Sequence, residues 1–170
     1  MPTSAAYIMS AVLLAPAMQN LGIEAIVAHM FIFYFANMSM ITPPVAIASY
    51  TAAGIAKTGL WETGIEAVRL ALVLFLIPFV FVYSPALLGI GSLHSIAWVF
   101  FTCSAGIMGL GIGIIGYWRM NLAKPLRAAF IVAALLLIIP EIITDIIGLG
   151  SLVLLMMYVF KKSKTTAVPA

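Results

Sequence analysis

Charge is scarce in this chain. Only 8% of its 170 residues are Asp, Glu, Lys or Arg, against about 25% in a soluble domain. Hydrophobic residues make up 65% and mean hydropathy is +1.23. A soluble fold of this length could not hide that much apolar surface, so lipid is its solvent. Cysteine is rarer still. A single Cys103 excludes an internal disulfide, and two histidines set apart complete no metal-ligand spacing. It lies in an apolar run and reads as packing. No credible nucleophile–base pair or phosphate loop is present, so the chain does not read as an enzyme and no organic cofactor is expected. Met1-Pro2-Thr3-Ser4 does not read as a signal peptide, since no positive charge stands ahead of the apolar run. The net charge of +3 comes partly from Lys161, Lys162 and Lys164, a juxtamembrane cluster rather than a nucleic-acid surface.

What the chain does have is apolar segments interrupted at telling places. Thr3 or Ser4 can cap a helix through Ala5–Met18 that ends near Gly22. A second segment starts near Ile23, with Glu24 and His29 in its first turns, where they read as interfacial. It runs through "MFIFYFANMSMI" to Thr42-Pro43-Pro44 and resumes as "VAIASYTAAGIA". Each proline lacks an N–H and its ring collides with the preceding turn, so two helical pieces meeting within the membrane are predicted. "KTGLWETGIEA" follows, with Glu62, Glu66 and Arg69 on one face, as in an interfacial lead-in helix. It feeds a span through about Tyr83, kinked at Pro78 and stopped by Pro85.

A further span covers about Ser95 to Tyr117. There Ala105, Gly109 and Gly113 repeat every fourth residue as a close-packing face. Trp98 and Tyr117-Trp118 mark its ends as aromatic belts. Basic residues Arg119, Lys124 and Arg127 precede the last apolar stretch, and three lysines follow it. The positive-inside rule puts both clusters in the cytoplasm, which a single span cannot do. A hairpin turning near Gly148-Leu149-Gly150 is predicted, with residues 84–94 outside. Glu141 and Asp145 are expected beside that hairpin, near the headgroups.

Irregular backbone in lipid survives where it lines a cavity or binds something. Half-helix ends near the midplane build ion and substrate sites in secondary transporters. The two interruptions here are Pro2-Thr3-Ser4 and Thr42-Pro43-Pro44, the second surrounded by Asn37, Ser39, Thr42 and Ser49. Their hydroxyls, amide and freed carbonyls are the neutral oxygens that sodium favours. A plain kink, with hydroxyls bonded back to their own helix, is the other reading of the same residues.

"MPTSAAY", "FYFANMSMITPPVAIASYTAAGIA", "FVYSPALL" and "EIITDIIGLGSL" together resemble the large membrane subunit of tripartite ATP-independent periplasmic (TRAP) transporters. The likeness is nearest to the fused permeases that work with TAXI-type binding proteins. It implies an all-α integral membrane protein of elevator architecture, in a bacterial or archaeal inner membrane. The function it implies is sodium-coupled symport of an organic anion handed over by a periplasmic binding protein. Sodium would be the coupling ion rather than a cofactor. Partners would include that binding protein and the remainder of the permease, with its small-subunit-like region.

The resemblance places Pro2, Thr3 and Ser4 at a hairpin tip and Thr42, Pro43 and Pro44 at the helix break. Asn37 and Ser39 stand nearby, and Thr3 and Thr42 are the sodium candidates. Residues 1–56 would be part of the transport domain and 57–94 a lead-in and scaffold helix. Residues 95–160 would be extra C-terminal helices and 161–170 a cytoplasmic tail. The family's permease has an inverted-repeat partner ahead of this region, so the chain is expected to be a fragment in which Met1 is not the true start. Another sodium–anion symporter, or a non-transporting membrane scaffold, is the alternative.

Overall fold

Backbone in lipid must pair its own polar groups, and this chain does so with helices. In a computed structural model, residues 3–138 and 141–166 are described, and Pro2 and Pro140 lie outside them. The helices are α1 (Thr3–Asn20), α2 (Ala25–Met38), α3 (Ile47–Ala56), α4 (Leu60–Leu70), α5 (Ile77–Tyr83), α6 (Leu93–Ile115), α7 (Lys124–Ile138) and α8 (Ile142–Thr166). Between α6 and α7, a two-residue antiparallel ladder pairs β1 (Tyr117–Trp118) with β2 (Met120–Asn121). By length and composition, Leu93–Ile115 and Ile142–Ser163 can each cross a membrane. The bent pair Leu60–Leu70 and Leu72–Tyr83 is a third candidate if it acts as one span. The protein is an all-α integral membrane protein. Its chain divides into two compact units, Met1–Leu88 and Gly89–Ala170.

In the first unit, α1 and α2 pack as a hairpin. Gly22, at φ +86°, turns the chain, and its N–H donates to the Gln19 carbonyl at 2.9 Å. Such a φ is comfortable only for glycine. Tyr7 on α1 and His29 on α2 share a 2.9 Å hydrogen bond, so His29 has a partner within the protein. Another face of α2 meets α5 and the turn before it through aromatic rings. Phe79 stands edge-on to Phe31 and Phe35, and Phe81 edge-on to Tyr34. Edge-to-face pairs add about 0.5–1.5 kcal/mol each beyond area burial.

The expected lead-in helix is α4, with Glu66 and Arg69 paired at 3.4 Å on an exposed face. The kink expected at Pro78 falls earlier. A single 3₁₀ turn, Leu72–Phe75, separates α4 from α5 and bends the path by 60°. Pro78 instead sits in the first turn of α5, where a missing N–H costs no helical bond.

The second unit is a bundle of α6, α7 and α8. Glycines let the helices close on one another. A Cβ on Gly109 would stand 3.1 Å from that of Ala134, and one on Gly113 would stand 3.1 Å from the Arg127 carbonyl. Gly106, one residue off the expected face, is equally tight against Ala134 and Leu137. Arg127 closes the end of α6, its guanidinium donating to the Gly113 and Ile114 carbonyls at 3.0 and 2.7 Å. A cation there also complements the negative end of the helix dipole.

The hairpin predicted at Gly148–Gly150 requires correction. Those residues lie inside α8, and the two helices that pack together are α7, ending at Ile138, and α8, starting at Ile142. Gly148 is a packing residue, since a Cβ there would sit 2.8 Å from Leu137. The hairpin still brings the N-terminus of α7 and the C-terminus of α8 to one end. Arg119 lies 4.7 Å over the Phe160 ring, which joins the two basic clusters.

Asp145 also departs from expectation. It is 2% exposed, and Oδ2 accepts a 2.8 Å hydrogen bond from Trp98 Nε1, while Oδ1 has no partner among the described residues. Trp98 therefore ties α6 to α8 as well as marking a helix end. Trp98→Phe should lower stability by about 0.6–1.7 kcal/mol, the range for such bonds in membrane bundles. Trp98→Phe combined with Asp145→Leu should recover part of the loss, because no polar atom is then stranded. Thermal unfolding in detergent checks both. A double variant no better than Trp98→Phe alone would show that the polar tie is not what matters.

Candidate functional site

Pro43 and Pro44 withdraw the N–H groups that the Ser39 and Met40 carbonyls would accept in a continuous helix. Helix α2 accordingly stops at Met38, and α3 does not start until Ile47. The freed acceptors are then met one at a time. Met40's carbonyl takes the N–H of Ala48, in the first turn of α3, at 3.0 Å. Ile41's carbonyl takes the hydroxyl of Ser49, which is 4% exposed, at 3.2 Å. Thr42's carbonyl takes the N–H of Ala46 at 3.1 Å, and Pro44's takes the Tyr50 hydroxyl at 3.2 Å. The Ser39 carbonyl is the acceptor that Pro43 leaves without its helical N–H donor.

Three predicted side chains bond back into α2. Asn37 Nδ2 donates to the Phe33 carbonyl at 2.9 Å, Ser39 Oγ to Ala36 at 2.7 Å, and Thr42 Oγ1 to Met38 at 2.7 Å. This is the local back-bonding open to these residue types. Donating a proton does not use up a hydroxyl oxygen, which keeps lone pairs for a cation.

Two features fix the break that sequence patterns missed. Ala46 caps α3 in the left-handed region, at φ 33°, and is fully buried. Alanine there costs roughly 1–2 kcal/mol, and nothing in the surrounding residue types signals it. Gly64 on α4 is buried against the break, where a Cβ would come within 2.6 Å of Pro43 Cγ. A glycine in the middle of an amphipathic helix is the signal that could have found it.

The hairpin of α1 and α2 also sets the start of α1 beside the end of α2. A cavity of about 280 Å³ lies between them, and Ala6, Ser10, Ala36 and Ser39 are among its lining residues. Ser39 is therefore the break residue that shares a cavity with α1. Thr3 is half-buried and Ser4 exposed. Among the described residues, neither hydrogen-bonds to Asn37, Ser39 or Thr42. Pro2 lies outside the described residues.

Chemically, the end of the hairpin gathers neutral oxygens around a helix break. The first turn of α3, the positive end of its dipole, meets the break through the bond from Ala48 to Met40. Such a set suits a small cation and a carboxylate together. A search of curated proteins and of solved structures finds no match to the chain. A family model does match, over residues 1–96, and is described as tripartite ATP-independent periplasmic transporter, DctM component.

Proposed function

The chain belongs to the DctM component family of the tripartite ATP-independent periplasmic transporters, and from that premise we propose that it works as part of a sodium-coupled symporter for an organic carboxylate. It is a transporter component, and the family's tripartite design implies further protein partners. A periplasmic binding protein of the TAXI type delivers the anion in this reading, and the rest of the permease completes the path across a bacterial or archaeal inner membrane. The supporting observation is the break itself. The start of α1 and the end of α2 share a cavity with Ser39, whose carbonyl Pro43 leaves without an N–H donor.

Sodium would sit among the Ser39 carbonyl and the hydroxyl oxygens of Thr42 and Thr3, with Ser4 and Pro2 shaping the tip. The Asn37 amide would steady the last turn of α2. Pro43 and Pro44 would hold the helix open. The anion would lie toward the α1 and α3 N-termini, its charge offset by both dipoles. Residues 1–56 would move as part of an elevator's transport domain. The α4–α5 segment, 57–94, would act as scaffold, with residues 95–160 as additional helices ahead of the tail at 161–170.

The test is uptake of labelled carboxylates into proteoliposomes that hold the permease with its binding protein. An inward sodium gradient should drive accumulation, and replacing sodium by potassium should abolish it. Equal accumulation in both cations would remove sodium coupling from the account.

A further inference from the structure

Among the described residues, the second unit carries its positive charge at one end. Arg119, Lys124, Arg127, Lys161 and Lys162 belong to the end where α7 starts and α8 finishes. Its two acidic residues, Glu141 and Asp145, lie at the start of α8, roughly 24–30 Å from Lys161 along the helix. At the basic end is an open groove of about 570 Å³. It runs between the β1–β2 turn and the last turns of α8, with Trp118, Leu154, Met157, Tyr158, Phe160 and Lys161 among its lining residues. Its walls are almost wholly apolar, and cations stand at its rim. Arg119 stacks 4.7 Å over Phe160, and Lys162 Nζ lies 6.0 Å from the centre of the Tyr158 ring. Both contacts hold a positive charge against a residue that lines the groove.

Arg119 is there against its own backbone preference. It is the single residue between β1 and β2 and has φ +57°, where Gly or Asn would be less strained. That backbone holds the arginine at the tip of the turn, between Trp118 on the groove wall and Phe160 beneath it.

We propose that this groove binds an anionic glycerophospholipid. One acyl chain lies along Leu154, Met157 and Tyr158, and the phosphate sits among Arg119, Lys161 and Lys162. Charge complementarity selects the occupant. An apolar channel along a membrane-length helix, opening onto three cations, matches an acyl chain continuous with an anionic headgroup. A zwitterionic lipid would bring its own ammonium group against the cationic rim, and a soluble anion would leave the channel empty. The proposal is independent of the sodium reading, because it concerns the other unit of the chain.

The experiment reconstitutes the permease in nanodiscs containing equal phosphatidylglycerol and phosphatidylcholine of matched chains. Native mass spectrometry then reads the lipids retained on release. Phosphatidylglycerol should be enriched by about 30- to 150-fold, as expected for two or three cations near one net-negative headgroup. R119A/K161A/K162A should bring the ratio close to that of the disc, whereas R119K/K161R/K162R should preserve the enrichment. Leu154→Trp, which fills the channel and leaves every charge in place, should also abolish it. Equal retention of the two lipids would overturn the proposal. So would enrichment that survives the triple alanine change, or a stoichiometric polypeptide found in place of lipid.

Discussion

Thr42→Val should raise the half-saturating sodium concentration for uptake by about 10- to 150-fold, with expression and folding intact. Valine preserves the branched shape and replaces Oγ1 with a methyl group. It removes one oxygen from a set that would face a full positive charge, a loss on the order of 1.5–3 kcal/mol. It also breaks the 2.7 Å bond from Thr42 to the Met38 carbonyl. Met38 is cushioned, because its carbonyl also accepts the N–H groups of Ile41 and Thr42 at 3.2 and 3.1 Å. The sodium effect should therefore exceed the structural one. Thr42→Ser retains the hydroxyl and should stay close to the parent. Uptake measured against sodium concentration in proteoliposomes decides it. Unchanged sodium dependence in Thr42→Val would remove that hydroxyl from the site, and an equally silent Thr3→Val would leave the side chains without a role.

Gly64→Ala should lower uptake by about 5- to 150-fold without the same shift in sodium affinity. The added Cβ would approach Pro43 Cγ to 2.6 Å, and a proline ring has no rotamer by which to retreat. Overpacking of this kind costs typically 1–3 kcal/mol, and here the strain falls on the break. Gly54→Ala is the matched control, since a Cβ at Gly54 on α3 meets nothing within 4 Å. It should leave transport unchanged, or slightly raise stability through its better helix propensity. Parent-level uptake in Gly64→Ala would mean that the packing of α4 on Pro43 does not hold the break in its working shape.

The two positions differ in how visible they are before any coordinates. Thr42-Pro43-Pro44 announces itself, because two missing N–H groups in an apolar segment can only interrupt a helix. The hydroxyl residues around it are visible for the same reason. Which carbonyl each hydroxyl would reach is set by the path between α2 and α3. That path depends on Ala46 adopting a left-handed conformation no alanine advertises. The role of Gly64 is likewise tertiary, since it depends on how α4 folds back over Pro43.

Glycines misled in the second unit because they do two jobs. At Gly109 and Gly113 the four-residue period correctly marked a packing face. At Gly148 a neighbouring glycine suggested a turn, yet the same absence of a side chain serves contact with Leu137 inside a continuous α8. Asp145 was read by its nearness to a turn, and its partner Trp98 lies 47 residues away, beyond the reach of local pattern.

The central claim is that the break beside α1 holds the coupling ion, and Ser39 reports on it most directly. Ser39 lines the cavity, so Ser39→Cys, in a permease whose Cys103 and any other cysteines are replaced by serine, supplies one reactive thiol. Its rate of modification by a small thiol reagent is measured in the reconstituted permease with sodium or potassium at equal ionic strength. Sodium should slow the reaction in a saturable way, with the half-effect near the concentration that half-saturates uptake, and potassium should not. A rate indifferent to sodium, in a variant that still transports, would place the ion somewhere other than this break.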